Sequence, residues 1–104
     1  MTPTRGEVWW HEPPDDEPRP FVILTRNEAI AGLEKLVAVP TTQTIRGIPS
    51  EVELGREDGM PGDCVVSTDN ITVVRKMLLT RHITTLSPQR VDEVCRALAH
   101  ATSC

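Results

Sequence analysis

Proline punctuates this chain from end to end. Nine of the 104 residues are proline, against a usual share of about 5%. Inside a helix, proline removes a backbone donor and clashes with the preceding turn. The distribution therefore argues against a helical bundle and for short strands joined by tight connections. One C-terminal segment reads differently. Ser87-Pro88 supplies an N-cap hydroxyl and a proline at the first helical position. Asp92 and Glu93 follow early, where the helix dipole favours negative charge. Val91, Val94, Cys95, Leu98 and Ala99 recur at three- and four-residue spacing, which predicts one apolar stripe along an amphipathic helix.

Upstream, the pattern is that of strands. Arg5 to Trp10 (RGEVWW) reads as a first strand, and His11 to Pro18 as a loop, with three prolines and four acids in eight residues. Arg19 to Arg26 carries the run Phe21-Val22-Ile23-Leu24, a buried-strand signature. Asn27 to Leu33 is a connection with room for one helical turn. Leu36 to Thr42 is the next strand, and Pro40 within it calls for a bulge, a strand end or an edge. Gly47 turns the chain. Ser50 to Leu54 alternates, with Glu51 and Glu53 expected to face solvent. Gly55 to Gly62 is a loop, Asp63 to Ile71 a strand and its end, and Val73 to Leu86 an ambiguous stretch with a helical turn and a short strand through His82 to Thr85. About five short strands and one helix predict a mainly β fold, a compact barrel with a C-terminal α-helix, in a single domain over residues 1–104. A chain of this size buries roughly two-thirds of its unfolded surface, and 38% hydrophobic with 25% charged residues is a globular composition. No apolar run approaches the roughly 20 residues of a membrane span, and no signal-like stretch opens the chain.

The net charge is −4, yet in so small a domain local clusters decide contacts. Nine of the 11 basic side chains are arginine, a bias that suits planar, bidentate recognition of carboxylate or phosphate. Cys64, Cys95 and Cys104 form no CxxC pair and are odd in number, which speaks against disulfides and zinc and for a reducing cytoplasm. Cys64 is expected in the core and Cys104 at the surface. No phosphate-binding glycine motif and no HExxH are present. His11, His82 and His100 are scattered. Of these, His11 alone lies in a loop suited to a site, while His82 suits a strand surface and His100 a helix C-terminus. Asp15, Asp16 and Glu17 read as a solvated run. Neither a metal nor another cofactor is expected.

Four pieces carry the informative pattern: RGEVWW, then RPFVILTR, then VAVPTTQTIRGIP, then a strand ending in STDNI. In this order and at about this spacing they resemble the MazF/PemK family of toxin endoribonucleases, over nearly the whole chain. The resemblance implies an SH3-like barrel with a C-terminal helix, assembled as a homodimer. It implies the toxin of a type II toxin–antitoxin system that cuts single-stranded RNA at short motifs without a metal. In that chemistry the 2′-hydroxyl attacks the adjacent phosphorus, leaving a 2′,3′-cyclic phosphate and a 5′-hydroxyl. It also implies a cognate MazE-like antitoxin, whose disordered acidic and apolar segment folds on binding and masks the RNA groove.

Two catalytic positions carry over from that resemblance. Arg19 matches the arginine of the Arg-Pro strand start, and Thr42 matches the threonine ending the Val-Pro-x-Thr strand. Thr41 is its neighbour, and strand alternation lets only one of the two face the cleft. Gln43 and Asn70 match polar positions beside the cleft and have amides suited to base edges. Trp9 and Trp10 are adjacent, so one is buried and one outward. An outward Trp10 can stack a base or pack in the core or a dimer. Arg46, in the TIRGIP turn, is a phosphate contact or a solvated turn residue. For Arg19 the competing reading is a strand-edge ion pair with Asp15, Asp16 or Glu17.

One departure from the family pattern stands out. Family members commonly have a longer first loop with a Gly-Ser-Glu-Gln-like segment, where this chain has a short, acidic, proline-rich one. Two other functions use the same barrel. A CcdB-like gyrase-binding toxin acts without a nuclease site through the end of its helix, but here that end, His100 to Cys104, lacks tryptophan. A degenerate member would only bind antitoxin.

Overall fold

Seven strands and two helices follow one another in this computed structural model, which describes residues 2–104: β1 (Glu7–His11), β2 (Arg19–Ile23), α1 (Asn27–Ile30), β3 (Lys35–Thr42), β4 (Glu51–Leu54), β5 (Cys64–Ser67), β6 (Thr72–Arg75), β7 (Leu79–Thr85) and α2 (Pro88–Thr102). The strands hydrogen-bond in the order β4-β5-β3-β2-β1-β7, with β6 also on β3, and every pairing is antiparallel. The ladder does not close on itself, so the barrel is an open one.

The sequence led to about five strands, with a short one through His82 to Thr85 in the ambiguous stretch, and the structure has two strands in that stretch. Its helical turn exists, as a 3-10 turn at Lys76–Leu78, but it separates β6 from a β7 that runs the full length Leu79–Thr85 rather than starting at His82. Neither strand alternates cleanly, because each borrows its order from the neighbour it pairs with.

β3 is the hub. One edge pairs with β2 from Ala38 to Pro40. On the other, Lys35 to Ala38 pair with β6 while Thr41 and Thr42 pair with β5. Pro40 therefore stands where one edge of the strand changes partners, a place that tolerates a residue without an N–H.

Alternation explains the unbroken apolar run in β2. Val8, Val22, Leu24, Val39, Val52 and Val66 form one cluster with Val94 and Ala97 of α2. Trp9, Phe21, Ile23, Leu36, Ala38 and Val74 form another on the opposite face. Both faces of the central strands are thus buried along much of their length, so neither face needs polar residues there.

α2 begins as expected, with Ser87 Oγ accepting from the Arg90 N–H at 3.1 Å. Two details differ. The first turn carries no acid, and Asp92 and Glu93 instead pair with Arg96 and Arg90 along the helix surface. The stripe is Val91, Val94, Ala97 and Leu98, while Ala99 is exposed. Alanine is small enough to suit either face, and Val94 with Leu98 fixes the phase. Among the described residues no helix is long and apolar enough to cross a membrane.

The loop after β4 is tied to both neighbours. Asp58 binds Arg90 of α2 at 2.9 Å, and its carbonyl accepts from Thr84 Oγ1 of β7 at 2.9 Å. Gly59 follows with φ +88°, and a Cβ there would stand 2.2 Å from Thr84 Oγ1. Only glycine lets the loop lie this close to β7.

Candidate active site

α2 covers one face of the sheet. At the end of β1–β3 the other face is left open, and it is there that the charged and hydroxyl side chains gather. His11 stands directly opposite Arg19 in the β1–β2 ladder, and directly opposed residues share a face with Cβ atoms about 4.5–5.5 Å apart. In the β2–β3 ladder Phe21 opposes Pro40. One pleat further along both strands lie Arg19 and Thr42, again on that face. His11, Arg19 and Thr42 thus form a row across three strands, with Phe21, Pro40 and Val74 beside them.

This row lines a cavity of about 570 Å³ that Arg46, Asn70 and Thr72 also border. A second concavity, about 530 Å³, shares Arg19, Thr41, Thr42 and Thr44 with the first and adds Trp10 and Gln43. All seven positions singled out in the sequence therefore border one or other of two concavities that share Arg19, Thr41 and Thr42 and together make up a trough at the strand ends.

The two threonines differ in what their hydroxyls do. Thr41 is on the α2 face, 4% exposed, and its Oγ1 donates to the Pro20 carbonyl at 3.1 Å. Thr42 is half-buried, and its Oγ1 accepts from the Thr44 N–H at 3.2 Å, which leaves its own O–H to donate. Trp9 is buried and hydrogen-bonds Glu7. Trp10 is half-exposed on the face opposite to Arg19, with the Arg81 guanidinium 5.9 Å from its ring centre, so it meets the trough only in the second concavity.

Around the rim, Gln43 and Arg46 are exposed. Asn70 sits in a 3-10 turn, Thr68–Asn70, and donates from Nδ2 to Ser67 Oγ at 2.8 Å. That turn is bolted to the next loop: buried Thr68 donates from Oγ1 to the Ser50 carbonyl at 2.6 Å. Glu51 is half-exposed, but its carboxylate is not free as its strand position suggested. Its Oε1 accepts from the N–H groups of Arg46 and Gly47 at 2.9 and 3.0 Å, which shapes the turn that carries Arg46. A carboxylate four residues after the glycine of a turn was the available signal.

Asp15, Asp16 and Glu17 are exposed, but they also border the first cavity. Among the described residues no carboxylate comes within 4 Å of the Arg19 guanidinium to form an ion pair. The His11 ring packs edge-on against Phe21, centres 4.9 Å apart. Burial lowers its pKa below the ordinary 6.5, and the charge of Asp16 works in the opposite direction. His82 contacts Thr85 Oγ1 on β7 and His100 is exposed near the end of α2, both away from the trough. Cys64 is buried and Cys104 exposed. Burial, aided by Asp58 and Asp63, pushes the Cys64 thiol up and keeps it unreactive. A larger hollow of about 830 Å³ lies between α2 and β4, but it is walled by Glu51, Glu53, Glu57, Asp63 and Glu93 and holds none of the seven positions.

An open antiparallel barrel with one terminal helix and a basic–hydroxyl row over an uncovered trough matches a known class of small toxins. The family model described as PemK-like, MazF-like toxin of type II toxin-antitoxin system matches residues 4–102, and the chain belongs to that family. It is 41% identical over 101 residues to the probable endoribonuclease MazF2 of Mycobacterium tuberculosis, covering 96% of this chain and 98% of that one. It is 38% identical to the probable endoribonuclease MazF5 of the same organism, covering 98% and 94%. Among solved structures, an endoribonuclease in complex with its cognate antitoxin, from a mycobacterial species, superimposes with a TM-score of 0.86 at 30% identity over 97% of this chain and 95% of that one.

Proposed function

We propose that this toxin is a sequence-specific, metal-independent endoribonuclease that cuts single-stranded RNA at the trough. The observation that carries the reading is the placement of Arg19 and Thr42 on adjacent strands, on one open face, in a chain 38–41% identical to endoribonuclease-named relatives. The 2′-hydroxyl attacks the neighbouring phosphorus, and negative charge grows on the non-bridging oxygens of the pentacoordinate species. The guanidinium of Arg19 offers a rigid fork of donors to those oxygens. Thr42 supplies the hydroxyl that fixes a phosphate oxygen in line. The products are a 2′,3′-cyclic phosphate and a 5′-hydroxyl. Gln43 and Asn70 read base edges, Trp10 offers a stacking surface, and Arg46 steadies the backbone.

The working unit is a homodimer, held inactive by a MazE-like antitoxin that covers the trough. Leu33, Val37, Val73 and Met77 leave 39–78% of their surface exposed, apolar area that such an assembly can bury. The site of action is the cytoplasm, where RNA and antitoxin meet.

The test is incubation of labelled single-stranded RNA with the protein in excess chelator, followed by end-group mapping. Cleavage at a defined motif with cyclic-phosphate ends is the expected result, falling about 100- to 1,000-fold or more in Arg19→Ala. No cleavage by wild type, or undiminished cleavage by Arg19→Ala, overturns it. An inert protein that binds its antitoxin would be a degenerate member, and one that blocks gyrase supercoiling would be the gyrase-binding kind.

A further inference from the structure

We propose that His11 is the general base of this site, the group that takes the proton from the attacking 2′-hydroxyl. The inference rests on the ribonuclease reading and fills a gap within it. A guanidinium is not deprotonated in proteins, so Arg19 cannot take a proton. A threonine hydroxyl keeps its own proton at neutral pH and is far too weak a base to accept another. Stabilising the phosphorane is within the reach of that pair, but accepting a proton is not.

Among the described residues only one imidazole reaches the trough. His11 closes β1 directly opposite Arg19, so both side chains rise from the same face. Its ring is braced edge-on by Phe21, 4.9 Å between centres, and it borders the cavity that holds Arg19 and Thr42. His82 and His100 border neither part of the trough. The ring is also in the right charge state. Burial favours its neutral form, which is the form able to accept a proton near pH 7. The charged groups facing the cavity are Arg19 of β2, Asp15, Asp16 and Glu17 of the loop before it, and Arg46 and Glu51 across from them. Asp16, which counteracts the effect of burial on this ring, stabilises the imidazolium once it forms. This gives the short acidic loop a role despite its repulsion of phosphate.

The step balances with water alone. The O2′–H proton passes to the imidazole, the O2′–P bond forms, the P–O5′ bond breaks, and the departing 5′ oxygen takes a proton from solvent. The imidazolium then returns its proton to solvent.

Single-turnover cleavage of a defined RNA is measured from pH 5 to 8 for wild type, His11→Asn and His11→Gln, with folding checked by thermal melting. In wild type kcat should rise with pH through one ionisation below 6.5 and then level. Both variants should lose about 100- to 10,000-fold in kcat and lack that rise, and added imidazole should restore part of the rate in His11→Asn. A second measurement needs no variant: the pKa of the His11 ring, followed by proton NMR in the wild type, should coincide with the one seen in kcat/KM, which reports the free enzyme. Wild-type kcat in the variants, a changed KM alone, a retained acid limb, or a mismatch between the two pKa values overturns the assignment while leaving the nuclease reading intact. A wild type that cuts no RNA overturns both.

Discussion

Thr41 and Thr42 are adjacent, chemically identical and both on β3, yet the pleat gives them opposite tasks. Replacing each by valine, which keeps the shape and removes the hydroxyl, separates those tasks. In Thr41→Val the lost interaction is the hydrogen bond to the Pro20 carbonyl at 3.1 Å in a 4% exposed position. Such a bond contributes about 1 kcal/mol net, which for a domain near 100 residues lowers Tm by about 4–6 °C. Thr41 borders the trough, but its hydroxyl is committed to the Pro20 carbonyl and valine keeps its shape, so cleavage below the transition should stay within about twofold. In Thr42→Val the lost bond is to the Thr44 N–H at 3.2 Å, at a half-buried residue whose bond lies where water can replace it, so Tm should move by no more than about 2 °C. Activity should suffer instead. A hydrogen bond to a charged phosphate oxygen is worth about 1.5–3 kcal/mol. At about 1.36 kcal/mol per factor of ten, that is a loss of about 10- to 150-fold in single-turnover rate. The pair is assayed on one fluorescent RNA at saturating enzyme with chelator, with melts in the same buffer. A large rate loss in Thr41→Val with a normal rate in Thr42→Val would refute the face assignment. Equal losses in both would refute the idea that the pleat divides their roles.

Two further predictions concern the loop that ties β4 to α2 and β7. Gly59→Ala places a Cβ at φ +88° against Thr84. The left-handed conformation costs about 1–2 kcal/mol and the contact adds to it, so a denaturant midpoint matching wild type would contradict the structure. Asp58 is pushed up by burial, but its hydrogen bonds from Arg90 and the Gly55 N–H outweigh this and hold its pKa below the ordinary carboxylate value. A carboxylate depressed by folding stabilises fully above its unfolded pKa of about 3.9, and that contribution is lost as pH falls through the lower folded value. Asp58→Asn should cost about 2 kcal/mol at pH 7, and its Tm should approach that of wild type as pH drops below about 4. A gap between the two that stays constant with pH would exclude the ion pair as the cause.

Local chemistry was legible in the sequence. Ser87-Pro88 set the helix start, the run Phe21 to Leu24 marked a strand buried on both faces, and Pro40 announced an interruption on β3. Three things were not legible, each for a physical reason. β6 and β7 carry weak patterns because their order comes from partners far along the chain, Leu36 and Val37 for one and Trp9 and Trp10 for the other. The stripe of α2 was drawn through Ala99 where the structure buries Ala97, because alanine fits either face. Glu51 looked like a solvent-facing residue of an alternating strand, and the one local hint, a turn glycine four residues before it, does not by itself show that two N–H groups of that turn fold back onto it. For the trough, residue types and positions were readable, but their mutual placement depends on register. Register in a sheet is fixed by which faces are buried, a property of the folded whole.

That dependence links the site to the core. The row His11–Arg19–Thr42 continues, along the same faces of the same strands, into Trp9, Phe21, Ile23, Pro40 and Ala38. Most of these side chains are buried in the second cluster. A slip of one residue between β2 and β3 would carry Thr42 away from Arg19 and also turn Ile23 or Ala38 out of that cluster. The packing that stabilises one end of these strands therefore fixes the alignment of polar groups at the other. The site is held by extended backbone rather than by a loop, with little conformational freedom left to lose when substrate arrives. The same geometry accounts for a short first loop: with His11 and Arg19 already opposed across β1 and β2, the connection between them need only span the strand ends and carry the carboxylate of Asp16 to the rim.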